Sequence, residues 1–110
     1  MATIRAYTDL EQSRKLAEIL PLESADMWYS IVDNEAFICL EHNNEYEQIP
    51  CWSLAALLSI LPQIQGGKPV IALDDNYITY PHTSVLYTKA DNLVNACYKL
   101  ILRLYELKML

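Results

Sequence analysis

The residues best suited to chemistry fall in three places. Cys39-Leu-Glu-His42, followed by Glu45 and Glu47, sets a thiol and an imidazole beside carboxylates, the side-chain types that hold a divalent metal. A structural zinc site needs four ligands, the only other histidine is His82, and no second cysteine pair completes a set. Glu41 to Gln48, EHNNEYEQ, therefore reads as a solvated acidic loop, with no metal and no other cofactor expected. Cys51 or Ser84 as nucleophile, His82 as base and Asp74 or Asp75 to orient it would supply the parts of a triad. No GxSxG elbow frames the serine, and His82 beside Pro81 reads as a turn histidine, so no catalytic residue is assigned. A small hydrolase or metal-dependent enzyme using His82 with Cys51, or the Cys39/His42 pair, is the alternative reading. Gly66-Gly67-Lys68 lacks the upstream glycine of a P-loop and is followed by Pro69 instead of Ser or Thr, which excludes a phosphate cradle of that kind. Asp74-Asp75-Asn76 is turn chemistry.

Aromatic residues offer a different kind of function. The chain holds eight tyrosines and two tryptophans, most of them in or beside segments rich in β-formers. Tyr and Trp join a large apolar area to a polar tip, which suits them to contact surfaces as well as to cores. Trp52 and Tyr98 fit a core; Trp28, Tyr29, Tyr77 and Tyr80 are interface candidates. If helices cover one sheet face, the opposite face must expose these rings or bury them in a second subunit.

The totals narrow the classes. With 110 residues, 53% hydrophobic and 20% charged, the chain holds one core and one domain, residues 1–110, and is not disordered. A net charge of −6 and a pI near 4.7 oppose nonspecific nucleic-acid binding, because phosphate contact needs clustered cations and these eight are dispersed. A charge-mimicking decoy for a DNA-binding protein would array its carboxylates on one face, whereas these fourteen are scattered. Cys39, Cys51 and Cys97 are odd in number and without CxxC spacing, which fits reduced thiols in a cytosol. The first residues lack a signal-peptide core, and the longest apolar run, Leu54 to Leu61, falls well short of the roughly 18 residues of a membrane span. A cytoplasmic protein without membrane association is expected.

The elements that must position these groups follow from periodicity. Thr8-Asp9-Leu10-Glu11 reads as a capping box opening a short amphipathic helix that Pro21 ends. Met27 to Val32 and Ala36 to Leu40, joined by Asp33-Asn34-Glu35, predict a hairpin. Ser53 caps a second helix, apolar almost all round, that runs to Pro62. Val70 to Leu73, Tyr77 to Tyr80 and Ser84 to Tyr87 predict a three-stranded meander. Thr88 to Leu110 is the longest segment with one pattern, with Thr88 as its cap. Its polar stripe is narrow, and its apolar arc includes Val94, Tyr98, Ile101 and Tyr105, so it must be packed on more than one side, by a second helix or another subunit. These four residues join the interface candidates. The order predicts an α+β domain, three helices packed on a small, mostly antiparallel sheet, α-ββ-α-βββ-α.

IPCWSLAALLSILP (49–62), KADNLVNACYKLILRLYEL (89–107) and LAEILPLESADMWY (16–29) resemble a family of small uncharacterised proteins from gut Bacteroidales genomes, their prophages and other mobile elements. All three motifs are helix faces and caps. The resemblance implies a phage or mobile-element origin and a cytoplasmic location in a bacterial cell, and brings no activity, ligand or catalytic residue with it. Residues and resemblance together lead to the expectation of a non-enzymatic protein-interaction module that self-associates as a homo-oligomer, with a host or phage protein as a further partner.

Overall fold

A computed structural model describes residues 6–43, 45–64, 67–72, 75–80 and 86–110. Gly66, Asp74, His82 and Ser84 lie outside the described residues, as does any arrangement that would use them.

The first helix, α1 (Leu10–Ala17), begins one residue later than the Thr8 capping box would place it. Asp9 is the cap: its carboxylate accepts the Gln12 N–H at 2.7 Å while the Gln12 side chain accepts the Asp9 N–H at 3.0 Å. Thr8 is instead fully buried and ties the start of the chain to the middle. Its N–H donates to the Trp52 carbonyl at 3.0 Å, and its hydroxyl accepts the Trp52 N–H at 3.2 Å and pairs with the Ser13 hydroxyl at 2.7 Å.

After a 3₁₀ turn at Leu22–Ser24, β1 (Met27–Val32) and β2 (Glu35–Cys39) form the expected hairpin. Asp33 and Asn34 make its two-residue loop with φ of 51° and 66°, the left-handed pair that matches strand twist and that Asn and Asp tolerate. The solvated loop expected to run through Gln48 stops earlier. Glu47 and Gln48 open β3 (Glu47–Cys51), which pairs antiparallel with the other side of β1. β3 is an edge strand, where Pro50 can sit without breaking a ladder on both sides.

Ser53 caps α2 (Leu54–Ile60) as read, accepting the Ala56 N–H at 3.1 Å. β4 (Val70–Ala72), β5 (Tyr77–Thr79) and β6 (Tyr87–Lys89) build a second antiparallel sheet in the order β4-β5-β6. Thr88 lies in β6 opposite Ile78, and that pairing keeps it extended, so the last helix cannot begin there. Asn92 caps α3 (Leu93–Glu106) through the Asn95 N–H at 2.9 Å, and the Thr88 hydroxyl donates to the Ala96 carbonyl at 2.6 Å. The α+β class and the order of the blocks are as read, with β3 as one further strand and the strands divided between two sheets.

The core explains the wide arc of α3. Val94, Ala96, Cys97, Leu100, Ile101 and Leu104 are buried, covered by α2 and by β5 and β6, whose inner face brings Ile78. The Gln12 side chain donates to Asn95 at 2.7 Å and brings α1 alongside. Full burial of each large aliphatic side chain contributes about 1.5–3 kcal/mol, and α3 supplies four of them, Val94, Leu100, Ile101 and Leu104. Tyr80, Val94 and Ile101, expected as interface residues, are consumed by the chain's own core and present no surface. Tyr80 is oriented inward by its hydroxyl, which donates to the Pro62 carbonyl at 2.6 Å. Among the described residues no helix is long and apolar enough to cross a membrane.

Candidate functional site

Strand register divides the first sheet into two unlike faces. Trp28, Ser30 and Val32 of β1 lie level with Cys39, Phe37 and Glu35 of β2, and the first two also with Pro50 and Gln48 of β3. The opposite face carries Tyr29, Ile31, Ile38, Ile49 and Cys51 and turns toward α1, where the Tyr29 hydroxyl donates to the Thr8 carbonyl at 2.8 Å. On the Ser30 face Val32 and Phe37 are exposed. Residues after β2 curl beside it and leave an open cleft of about 910 Å³, lined by Ser30, Val32, Phe37, Cys39, Leu40, Glu41, His42, Asn43, Tyr46 and Gln48.

A small polar network fixes this cleft. Gln48 donates to the Ser30 hydroxyl at 2.9 Å and accepts the Asn43 N–H at 2.7 Å, which fastens the loop to the sheet. The Ser30 hydroxyl lies 3.2 Å from the Cys39 sulfur. His42 stacks on Trp28 with ring centres 4.5 Å apart and planes 26° from parallel. Around this polar line the surface is apolar and open: Leu40 is 74% exposed, Phe37 50%, and Val32 and Tyr46 are also exposed.

The contacts of Cys39 and His42 run to Ser30 and Trp28 respectively, and among the described residues no three His, Cys, Asp or Glu converge as metal ligands. Cys51 is fully buried, and burial pushes its thiol up, outweighing the hydrogen bonds from Thr8 and Ser13 that favour the thiolate. A nucleophile needs the reverse shift and a path to substrate. Burial alone pushes the Cys97 thiol up to about 12.

No protein-family model, curated protein or solved structure matches the chain.

The remaining sequence candidates are dispersed. Trp28 is half-buried under His42, and Tyr29 faces α1. Tyr77 pairs with Tyr87 across the outer face of the second sheet, ring centres 5.2 Å apart. Tyr98 is half-buried at the margin of the core, its phenol pushed up by burial and by the nearby carboxylates of Glu11 and Asp9. Tyr105 is exposed beside Leu107, Met109 and Leu110, and a shallow pocket of about 420 Å³ there is lined by Tyr105, Glu106, Lys108 and Leu110.

Aromatic strands and the helix arc do not single out Val32, Phe37, Leu40 and Gln48, and Tyr46 is one of the eight tyrosines without a pattern that sets it apart. A usable signal was present in the charges. From Leu16 to Gly67 the chain contains no Lys or Arg, and within Met27–Cys51 it places Asp33, Glu35, Glu41, Glu45 and Glu47. A one-signed stretch interleaved with exposed apolar residues marks a surface with a charge preference.

Proposed function

We propose that this chain is a non-enzymatic protein-interaction module of the bacterial cytoplasm that self-associates, and that its docking surface is the outer face of the first sheet. The single observation carrying this reading is the open cleft whose exposed Val32, Phe37, Leu40 and Tyr46 form one apolar surface around a hydrogen-bonded polar line. An exposed apolar patch with a polar, charged rim is the composition of a contact site. The resemblance to small proteins of Bacteroidales prophages and mobile elements supports a phage or mobile-element origin, with a host or phage protein as a further partner. Net charge −6 argues against nucleic acid in that role. A hydrolase built on Cys51 would need a thiolate that burial opposes.

The test is a native pull-down of tagged protein from lysate of its host, with absolute mass determination of what elutes, done in parallel on the Leu40→Asp variant. A defined complex, with itself or with one specific protein, that the variant loses supports the reading. A wild-type chain that elutes alone as a monomer sinks it.

A further inference from the structure

We infer that the chain self-associates head to tail, with the turn that closes α3 in one copy, Tyr105 to Leu110, seated in the cleft of the first sheet of the next copy. This rests on the interaction-module reading and specifies its occupant.

Charge selects the pairing. Met27–Cys51 carries Asp33, Glu35, Glu41, Glu45 and Glu47 and no Lys or Arg. Of these, Glu35 and Glu41 lie on the cleft face, while Glu47, level with Ile31, lies on the other; the docking turn carries Lys108 and Glu106 with Arg103 just before it, so the cleft is acidic and the end of α3 holds one more cation than anion. Two clefts face to face would set like charges against each other, whereas cleft against α3 sets opposite ones together. The apolar surfaces match as well. Val32, Phe37, Leu40 and Tyr46 are exposed on one side, and Tyr105, Leu107, Met109 and Leu110 on the other.

This exposed apolar turn, the knob of the contact, is already ordered. Lys108 adopts φ 58°, and the closing hydrogen bonds run from the Met109 N–H to the Leu104 carbonyl at 2.8 Å and from the Lys108 N–H to the Tyr105 carbonyl at 3.0 Å. A knob held in this way loses little conformational freedom on docking. The cleft is equally fixed, by Gln48 bridging Ser30 and Asn43. Because cleft and knob are different surfaces, the contact is heterologous: each copy keeps one unused half, and assembly proceeds until a ring closes or a filament grows.

The test uses two variants at exposed positions, Leu40→Asp on the cleft and Lys108→Glu on the knob, each checked for native circular dichroism and followed by sedimentation velocity. Wild type is expected to show a mass that grows with concentration, its apparent Kd weakening roughly threefold between low and high salt, as one or two exposed ion pairs would give. Each variant alone should be monomeric or strongly weakened. Their equimolar mixture should form a dimer and stop there, since one intact cleft meets one intact knob and the other two surfaces are spoiled. A mixture that stays monomeric while wild type assembles overturns the inference, as does a variant that still makes a closed dimer by itself. A monomeric wild type whose cleft captures a different protein, in a manner lost in Leu40→Asp, overturns head-to-tail assembly and leaves the interaction module standing. A monomer that captures nothing overturns both.

Discussion

Replacing Thr8 by Val keeps the shape of a fully buried side chain and removes its hydroxyl. That hydroxyl accepts the Trp52 N–H at 3.2 Å and pairs with the Ser13 hydroxyl at 2.7 Å, both inside the protein. Without it, a backbone donor and a serine hydroxyl are stranded away from water. A buried polar group left unpaired costs about 1–3 kcal/mol, and the serine can turn toward another acceptor while the backbone cannot, so the pair is expected to cost about 3 kcal/mol. Unfolding entropy of about 2.1 cal/mol/K per residue makes this a fall in Tm of roughly 12 °C for a domain of this length. Thr8→Ser separates the hydroxyl from the methyl: it keeps the bonds and loses one buried carbon, about 1 kcal/mol or roughly 4 °C. Thermal unfolding followed by circular dichroism and calorimetry measures both. A Val variant within about 2 °C of wild type, or a Ser variant less stable than the Val variant, would refute the role given to the hydroxyl.

Other perturbations bear on the turns, the thiols and pH. Asn34→Val puts a β-branched residue at φ 66° in the hairpin loop and should lower stability by about 1–2 kcal/mol in urea titration, whereas Asn34→Gly should be tolerated. Lys108→Gly relieves a left-handed non-glycine residue at the end of α3 and should raise stability by about 0.5–1 kcal/mol in the same assay. With a colorimetric thiol reagent, Cys39, which is only part-buried, should react in the native protein, and Cys51 and Cys97 only on unfolding; fast reaction of Cys51 would contradict its burial. Tyr80 and Cys97 have folded pKa values raised to about 12 from ordinary values of 10.0 and 9.0, so the unfolded chain gives up these protons first. Their contribution is fully present below pH 9 and is lost as pH rises through about 12, and denaturant midpoints measured across that window should fall.

Local pattern carried most of the fold into view. Ser53 before a run of Leu and Ala, Asp33-Asn34 between β-formers, and the broad apolar arc after Asn92 each specify an element through their own neighbours. The misplacements arise where a distant partner decides. Thr8 and Thr88 both resemble helix caps, yet the first is drawn into bonds with Trp52 and Ser13 and the second is held extended opposite Ile78. β3 was hidden because Glu47-Gln48-Ile49-Pro50 has weak strand propensity and is recruited by β1, which needs a second neighbour. The width of the α3 arc demands several packing partners, but periodicity does not name them: it leaves Val94 and Ile101 open to another subunit, whereas α2 and the second sheet cover them. The cleft was the least legible part: it arises from which strand faces are left bare, a property of register that single-strand patterns do not contain.

The split into two sheets also governs how the molecule breathes. The first sheet closes all its strand pairings within residues 27–51 and is fastened to the rest through β3 and the Thr8–Trp52 clasp, while α3 sits in the deepest packing of the molecule. β2 is paired on one side only and its outer face is bare, so it is expected to open at smaller free-energy cost than α3, whose amides should exchange with solvent only on global unfolding. An amide-exchange map should therefore show two cooperative units of unequal height. On this map the first sheet would open and re-form as a unit while the packing of α3 against α2, β5 and β6 stays intact.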